Sequence, residues 1–319
     1  MLCATIVVGC SGSDVTDSQS DIVIERFDQD LQVVALKGDS LSILSKRYGV
    51  FFENYTHGVL QIEKGEEEEI QEALRKFVND SSVKSVNAAI DSVFGDLESI
   101  HSQVNEFSLN YHKHFPQEDF PRVVTLNSFF NYAIVADSNI LGLGLDMFLG
   151  SDSRFYQELR FPLYLRKRMI PEQVVPSAAL GWYESEHPGE LAGKDFLSQM
   201  IHQGKSLYYV QMMLPDIKDS LLLGYSENEL NWCEENEERI WALFIENKML
   251  FSTDRSLYSK FLVQAPKTSG FPDEAPDKIA SYIGLKIVRE YMDNNNSTLK
   301  ELIDNKDALG ILEGSSYKP

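Results

Sequence analysis

The sequence predicts an α+β fold, mainly helical, with a small antiparallel or mixed sheet. Two observations carry that expectation. Over most of the chain apolar residues recur at intervals of three and four, the helical period, as in Ile90, Val93, Phe94, Leu97, Ile100, Val104 and Phe107. Between residues 122 and 145 the texture changes to three short β-rich runs, 122–127, 132–136 and 140–145. They are separated by Asn-Ser-Phe-Phe-Asn and Asp-Ser-Asn, residue types that favour tight turns. Helices, a small sheet and then more helices make the α+β arrangement, read here as one domain.

Each element has its own local signal. Residues 22–31 alternate and then turn helical, a short strand entering a helix. Over 40–62, Tyr48, Phe51, Phe52 and Tyr55 stand at helical spacing and form an aromatic core stripe. The run Glu66 to Glu69 follows Gly65, and carboxylates suit the positive end of a helix, so helices are expected over 66–78 and again over 86–113. Gly142 and Gly144 resemble the start of a nucleotide-binding glycine loop. The third glycine is missing and no phosphate-facing helix follows, so a strand with close backbone contacts is expected instead. Pro171 suits a first helical turn, and its helix runs to about Tyr183. Residues 195–213 carry Phe196, Leu197, Met200, Ile201, Leu207, Tyr208 and Val210. Ser226 with Glu229 is a capping-box pattern, opening a helix through Leu230, Cys233, Ile240, Trp241 and Phe244 to near Phe251. Finally a loop punctuated by Pro266, Gly270, Pro272 and Pro276 enters a helix whose apolar face is Ile279, Tyr282, Ile283, Ile287, Val288 and Tyr291. Pro and Gly stop regular elements; such a loop caps a core helix, and loops of this kind also line binding sites.

Composition narrows the function. The net charge of -20, from 29 basic and 49 acidic residues, opposes a phosphate-binding face, so no nucleic-acid partner is expected. No apolar segment approaches the ~20 residues that span a bilayer. At the N-terminus Leu2, Ala4, Ile6, Val7 and Val8 end at Gly9-Cys10, and a Ser- and Asp-rich stretch follows. This resembles a bacterial lipobox: residues 1–9 would be a signal-peptide remnant, 10–21 the lipidated Cys10 and its tether, and 22–319 one domain. No Lys or Arg precedes the run, which is short for a signal peptide; a start lying further upstream explains both. With Cys3 removed and Cys10 lipidated, Cys233 is left as the one free thiol, so no internal disulfide forms. Beside Trp232 on an amphipathic helix, it reads as a small buried hydrophobe.

Catalytic signatures are missing. The histidines are His57, His101, His112, His114, His187 and His202, and none makes the i, i+4 pair of a helical zinc site. No Gly-x-Ser-x-Gly elbow, Walker loop or Cys-x-x-Cys is present. No metal, cofactor or catalytic residue is expected from chemistry alone.

A family resemblance fills the gap. Ile24-Glu-Arg-Phe-Asp-Gln-Asp-Leu31, Gly142-Leu-Gly-Leu-Asp-Met-Phe-Leu-Gly150 and Met200-Ile-His-Gln-Gly-Lys-Ser-Leu-Tyr208 carry it. So do Gly224-Tyr225, Asn231-Trp-Cys-Glu-Glu-Asn-Glu-Glu238, Ala265-Pro-Lys-Thr-Ser-Gly-Phe-Pro-Asp-Glu274 and the ending Ile311-Leu-Glu-Gly-Ser-Ser-Tyr-Lys-Pro319. Together they resemble the gliding-motility-associated lipoprotein GldB family of Bacteroidetes. The resemblance implies a lipid-anchored cell-envelope protein, outer-membrane and facing the periplasm or the surface, with envelope proteins of the gliding or secretion machinery as partners. Members also occur in non-gliding species.

A second resemblance concerns ancestry. The order of sheet, helix, a helix with Ile201, Gly204 and Tyr208, and the Tyr282 to Tyr291 helix is similar to predicted zinc proteases of the zincin fold. Those carry His-Glu-x-x-His on the first helix and a Glu ligand on the second. Here the first window, 175–183, has no His, and Gln203 stands at the Glu position. A neutral amide is a poor zinc ligand. The resemblance therefore implies a degenerate, zincin-like pseudo-protease whose acidic cleft, near Gln203 and the 265–276 loop, serves for binding. Its expected lining is Trp182, His202, Gln203, Lys205, Lys267, Phe271, Asp273 and Glu274. Two alternatives stand beside it. One is a hydrolase using His187 with Glu184 or Glu186, or His202 with the Glu234 to Glu238 run. The other is a surface lipoprotein that captures peptides or glycans on exposed aromatics.

Overall fold

The computed structural model describes residues 21–37, 40–137, 139–189 and 194–319. Cys10 and the lipobox lie outside the described residues. The chain opens with β1 (Ile24–Glu25) running into α1 (Phe27–Lys37), as the alternation over 22–31 predicts. α2 (Ser42–Tyr48), α3 (Val50–Glu53) and a π-helical turn over Asn54–Val59 follow. The aromatic stripe is core: Tyr48, Phe51 and Tyr55 meet the Phe27 ring edge-on at 4.9, 5.1 and 4.8 Å between centroids, favoured geometry for aromatic pairs. α4 (Glu67–Asn79) begins at the glutamate run, with Glu66 and Glu69 closing a capping box.

The period over 86–113 belongs to two helices rather than one, α5 (Ser81–Phe94) and α6 (Glu98–His114). Gly95 at φ +53° and Leu97 at φ +65° interrupt the ladder. Val86 and Ile90 before the break and Ile100 and Val104 after it enter the same core, so the apolar spacing carries through and hides the break.

The strands β2 (Arg122–Leu126), β3 (Ile134–Asp137) and β4 (Ile140–Gly144) fall on the three predicted runs. The sheet order is β1-β2-β4-β3. β1 and β4 both lie parallel to β2, and β3 is antiparallel to β4. The sheet is therefore mixed, and the antiparallel alternative holds only for the β3–β4 pair. The reason lies in the connection after β2. Instead of turning back as a hairpin, it folds over the buried carboxylate of Asp146, which accepts from Ser128 N and Phe130 N, and leaves a strand position free for β4.

Alternation along the strands separates two layers. Val124, Leu126 and Ile140 face α1 to α4, while Val123, Leu141 and Leu143 face the larger core, which takes in α5 and α6 as well as the helices after the sheet. The two strand glycines are explained by space. A Cβ on Gly142 would lie 3.0 Å from Leu126 and 3.2 Å from Phe51, and one on Gly144 would meet the Tyr132 carbonyl oxygen at 2.1 Å. The expectation of close backbone contacts is met.

Beyond the sheet come α7 (Arg154–Glu158), α8 (Leu163–Arg166), α9 (Val174–Glu186), α10 (Phe196–Met213) and α11 (Asp219–Leu223). The Ser226–Glu229 capping box is present. The helix it opens does not run to Phe251: it divides at Asn236 into α12 (Glu227–Glu235) and α13 (Glu237–Glu246). The Asn236 side-chain amide donates to the Trp232 carbonyl at 2.8 Å, closing the first helix while both halves keep their apolar faces inward. α14 (Arg255–Phe261), α15 (Ile279–Asn294), α16 (Leu299–Asp304) and α17 (Ala308–Ser315) complete the chain. α10 and α15 cross backbone to backbone: a Cβ on Gly204 would lie 2.2 Å from the Gly284 carbonyl oxygen.

Candidate functional site

α9 and α10 pack side by side and diverge where α9 ends. α9 buries Val174, Val175, Ala178, Ala179, Trp182 and Tyr183, and its end carries Tyr183, Glu186 and His187 around the last turn. α10 presents Ser198, Ile201, His202 and Lys205 toward them. The segment joining α16 to α17, residues 303–308, forms the opposite wall. Together they line a cavity of about 460 Å³, within the size range of small-ligand sites.

Its polar groups are held by neighbours. His202 Nε2 lies 3.4 Å from Glu184 Oε2, and Gly189 sits so close that a Cβ there would be 2.7 Å from the imidazole Cε1. The His187 ring packs on Tyr183 at 5.1 Å. Burial pushes the His187 pKa down, with Glu186, Glu118 and Asp304 pulling the other way. Lys205 is 7% exposed, and its Nζ donates to the Asn305 carbonyl. Burial holds that amine down at about 8 against the opposing charge of Asp304; desolvation favours the neutral form of an amine.

This cavity, which neither Gln203 nor the 265–276 loop lines, is not acidic. Lys194, Lys205 and Lys306 line it against Glu186 and Asp304, with His187 and His202 in addition. The acidic excess resides elsewhere, as in the exposed Glu66 to Glu69 turn at the start of α4.

Of the residues the sequence nominates, only His202 and Lys205 line this cavity. Trp182 is buried in the core at 4% exposure. Gln203 follows His202 but is not part of the lining; its carbonyl accepts from Ser206 Oγ at 2.9 Å. Lys267, Phe271, Asp273 and Glu274 lie on the 262–278 loop and do not reach the cavity. Phe271 packs on Trp232 and Phe261 at 6.0 and 6.3 Å, and Lys267 pairs with Asp273 at the surface. The loop is pinned by Asp277, fully buried, which accepts from Arg168 Nη2 at 2.7 Å and Ala265 N at 3.0 Å. It caps core helices.

The residues of the hydrolase alternative fare differently. Glu186, His187 and His202 line one cavity, and Glu184 holds His202 from its edge. The Glu234 to Glu238 run does not join them; Glu237 accepts from the hydroxyls of Tyr282 and Tyr317. Sequence reasoning missed Ser198, Asp304 and Lys306. Ser198 stood at i−4 from His202 and i−7 from Lys205, one helical face. Nothing local connects 303–308 to α10. Among the described residues no group of three or more His, Cys, Asp or Glu stands close enough together to hold a metal ion.

A family model described as gliding motility protein GldB matches residues 11–319. The chain belongs to the GldB family. This GldB-family chain has no match among curated proteins or solved structures. Membership makes it a gliding-motility lipoprotein by family. None of its described helices is long and apolar enough to cross a membrane.

Proposed function

We propose that this protein is a non-catalytic envelope lipoprotein, anchored through lipidated Cys10, that acts as a protein-interaction or assembly factor on a zincin-like pseudo-protease scaffold. Its partners are envelope proteins of the gliding or secretion machinery. One observation carries the reading. α9, which the resemblance to zincins sets at the helix that carries their imidazoles, buries only Val174, Val175, Pro176, Ala178, Ala179, Trp182 and Tyr183. Zinc needs three or four N, O or S ligands converging at about 2 Å, and this face supplies none. The cleft at its end is left to bind.

The convergence of His187, His202 and Glu184 favours a hydrolase as the second reading. Against it, no hydroxyl or thiol is hydrogen-bonded to His202 among the described residues; its bond is to Glu184. A nucleophile needs a base within hydrogen-bond reach. The two readings separate when the purified chain is assayed for cleavage of peptide, ester and glycoside substrates beside a variant carrying Glu184→Gln, His187→Gln and His202→Gln. These changes keep polar side chains while removing proton transfer. No turnover by either protein is expected for a binding role, and turnover by the wild-type chain that the variant loses would establish acid–base chemistry in the cleft.

A further inference from the structure

The cleft between α9, α10 and the 303–308 segment has a charge pattern that its surroundings do not share. On a chain of net charge -20, three lysines and two histidines line one cavity with two carboxylates. Lys205 is the decisive member. Its side chain comes from the middle of α10, over nine-tenths buried, and its ammonium reaches the cavity wall at the Asn305 carbonyl. No carboxylate of the described residues stands within ion-pair distance of it. A buried ammonium is ordinarily paired or neutralised; here one carbonyl satisfies a single donor of the three. Ile201, Tyr183 and Ala308 supply an apolar floor.

Deepening the binding role proposed above and resting on it, we infer that this cavity is a carboxylate-binding site, with Lys205 as the counter-ion and the apolar floor taking a body of one or two amino-acid residues. A singly charged head matches the site better than a phosphate. The exposed Glu186 and Asp304 are offset by the exposed Lys194 and Lys306, which leaves one buried ammonium to match one negative charge. A polypeptide C-terminus and a free short-chain acid carry the same head group.

Proton linkage gives the site a signature. The titratable groups lining the cavity with Lys205 are Asp304 and Lys306 from the α16–α17 connection, His202 and Lys194 from α10 and its approach, and Tyr183, Glu186 and His187 from α9 and its end. Its amine is held near 8 by burial. A bound carboxylate favours the ammonium, so binding takes up protons around pH 8 and weakens as pH rises from 7.5 to 9, above the histidine range.

The test is calorimetric titration of the unlipidated chain (Cys10→Ser) with a panel of N-acetyl dipeptides as free acids, the same peptides as C-terminal amides, acetate, and inorganic phosphate. The expected result is that at least one free acid binds tenfold or more tighter than its amide and than phosphate. Comparison in two buffers of different ionisation enthalpy should show uptake approaching about half a proton at pH 8. Lys205→Met, checked for an unchanged melting temperature, should lower affinity at least tenfold, and Asp304→Asn should raise it several-fold if Lys205→Met does not fold. Acetate binding as tightly as the dipeptides assigns the site to a free short-chain acid; dipeptides binding more tightly assign it to a peptide C-terminus. Equal binding of acid and amide, tighter binding of phosphate, or no heat from any probe overturns the inference. Cleavage of a peptide during the titration would instead refute the non-catalytic reading and leave the carboxylate site standing.

Discussion

The carboxylate of Asp146 is fully buried and accepts from Ser128 N and Ser128 Oγ, both at 2.9 Å, and from Phe130 N at 2.5 Å. It holds Phe129 and Phe130 at φ +52° and +64°, a conformation that costs about 1–3 kcal/mol for a non-glycine residue. Two effects oppose each other on its charge. Burial penalises the anion and the three donors favour it; burial is the larger, and the pKa rises from 3.8 to about 6. The folded state then binds the proton more tightly than the unfolded state, so this residue's contribution to stability is greatest below pH 3.8 and falls as pH rises through 6. At about 1.4 kcal/mol per pH unit the whole effect is about 3 kcal/mol, of which about 2 kcal/mol falls between pH 4.5 and 7. Asp146→Asn removes the titration and keeps the shape. Urea unfolding of both chains across this range should show the wild-type stability, relative to Asp146→Asn, declining by about 2 kcal/mol toward pH 7. A flat difference would mean that the donors balance burial, and one that grows toward pH 7 that they outweigh it; either refutes the reasoning.

Three further outcomes follow from the packing and the anchor. Gly284→Ala places a methyl 2.2 Å from the Met200 carbonyl and should lower stability by at least about 2 kcal/mol in denaturant titrations. Arg168→Met strands the fully buried Asp277 carboxylate and should cost about 3 kcal/mol, with faster proteolysis of the 262–278 loop than of the rest of the chain. Cys10→Ala should move the protein from the membrane fraction to the soluble fraction on cell fractionation, with its thermal stability unchanged.

The sequence was most legible where one face decides an element. The Tyr48 to Tyr55 aromatics, the Ser226 cap and the three sheet runs lie where their spacing placed them. It was least legible where two elements share a core. Helices α5 and α6, and α12 and α13, keep one apolar period across a break set by backbone dihedrals at Gly95, Leu97 and Asn236. Strand order was hidden for a different reason, because the loop at Ser128 and Phe130 answers to Asp146, sixteen residues or more away in the chain. In the site, His202 and Lys205 were legible as polar positions on an apolar helix. The resemblance sets the loop residues Lys267 and Asp273 in the cleft, but a resemblance does not say which way a loop folds, and the buried Asp277 turns this one onto Trp232 and Phe261.

The central claim is that the scaffold binds without catalysing. Elemental analysis of the purified chain for zinc, together with casein degradation with and without chelator, tests it most directly. The account predicts substoichiometric metal and no cleavage. One zinc per chain with chelator-sensitive cleavage would contradict it and point to His187 and His202 as the ligands or bases.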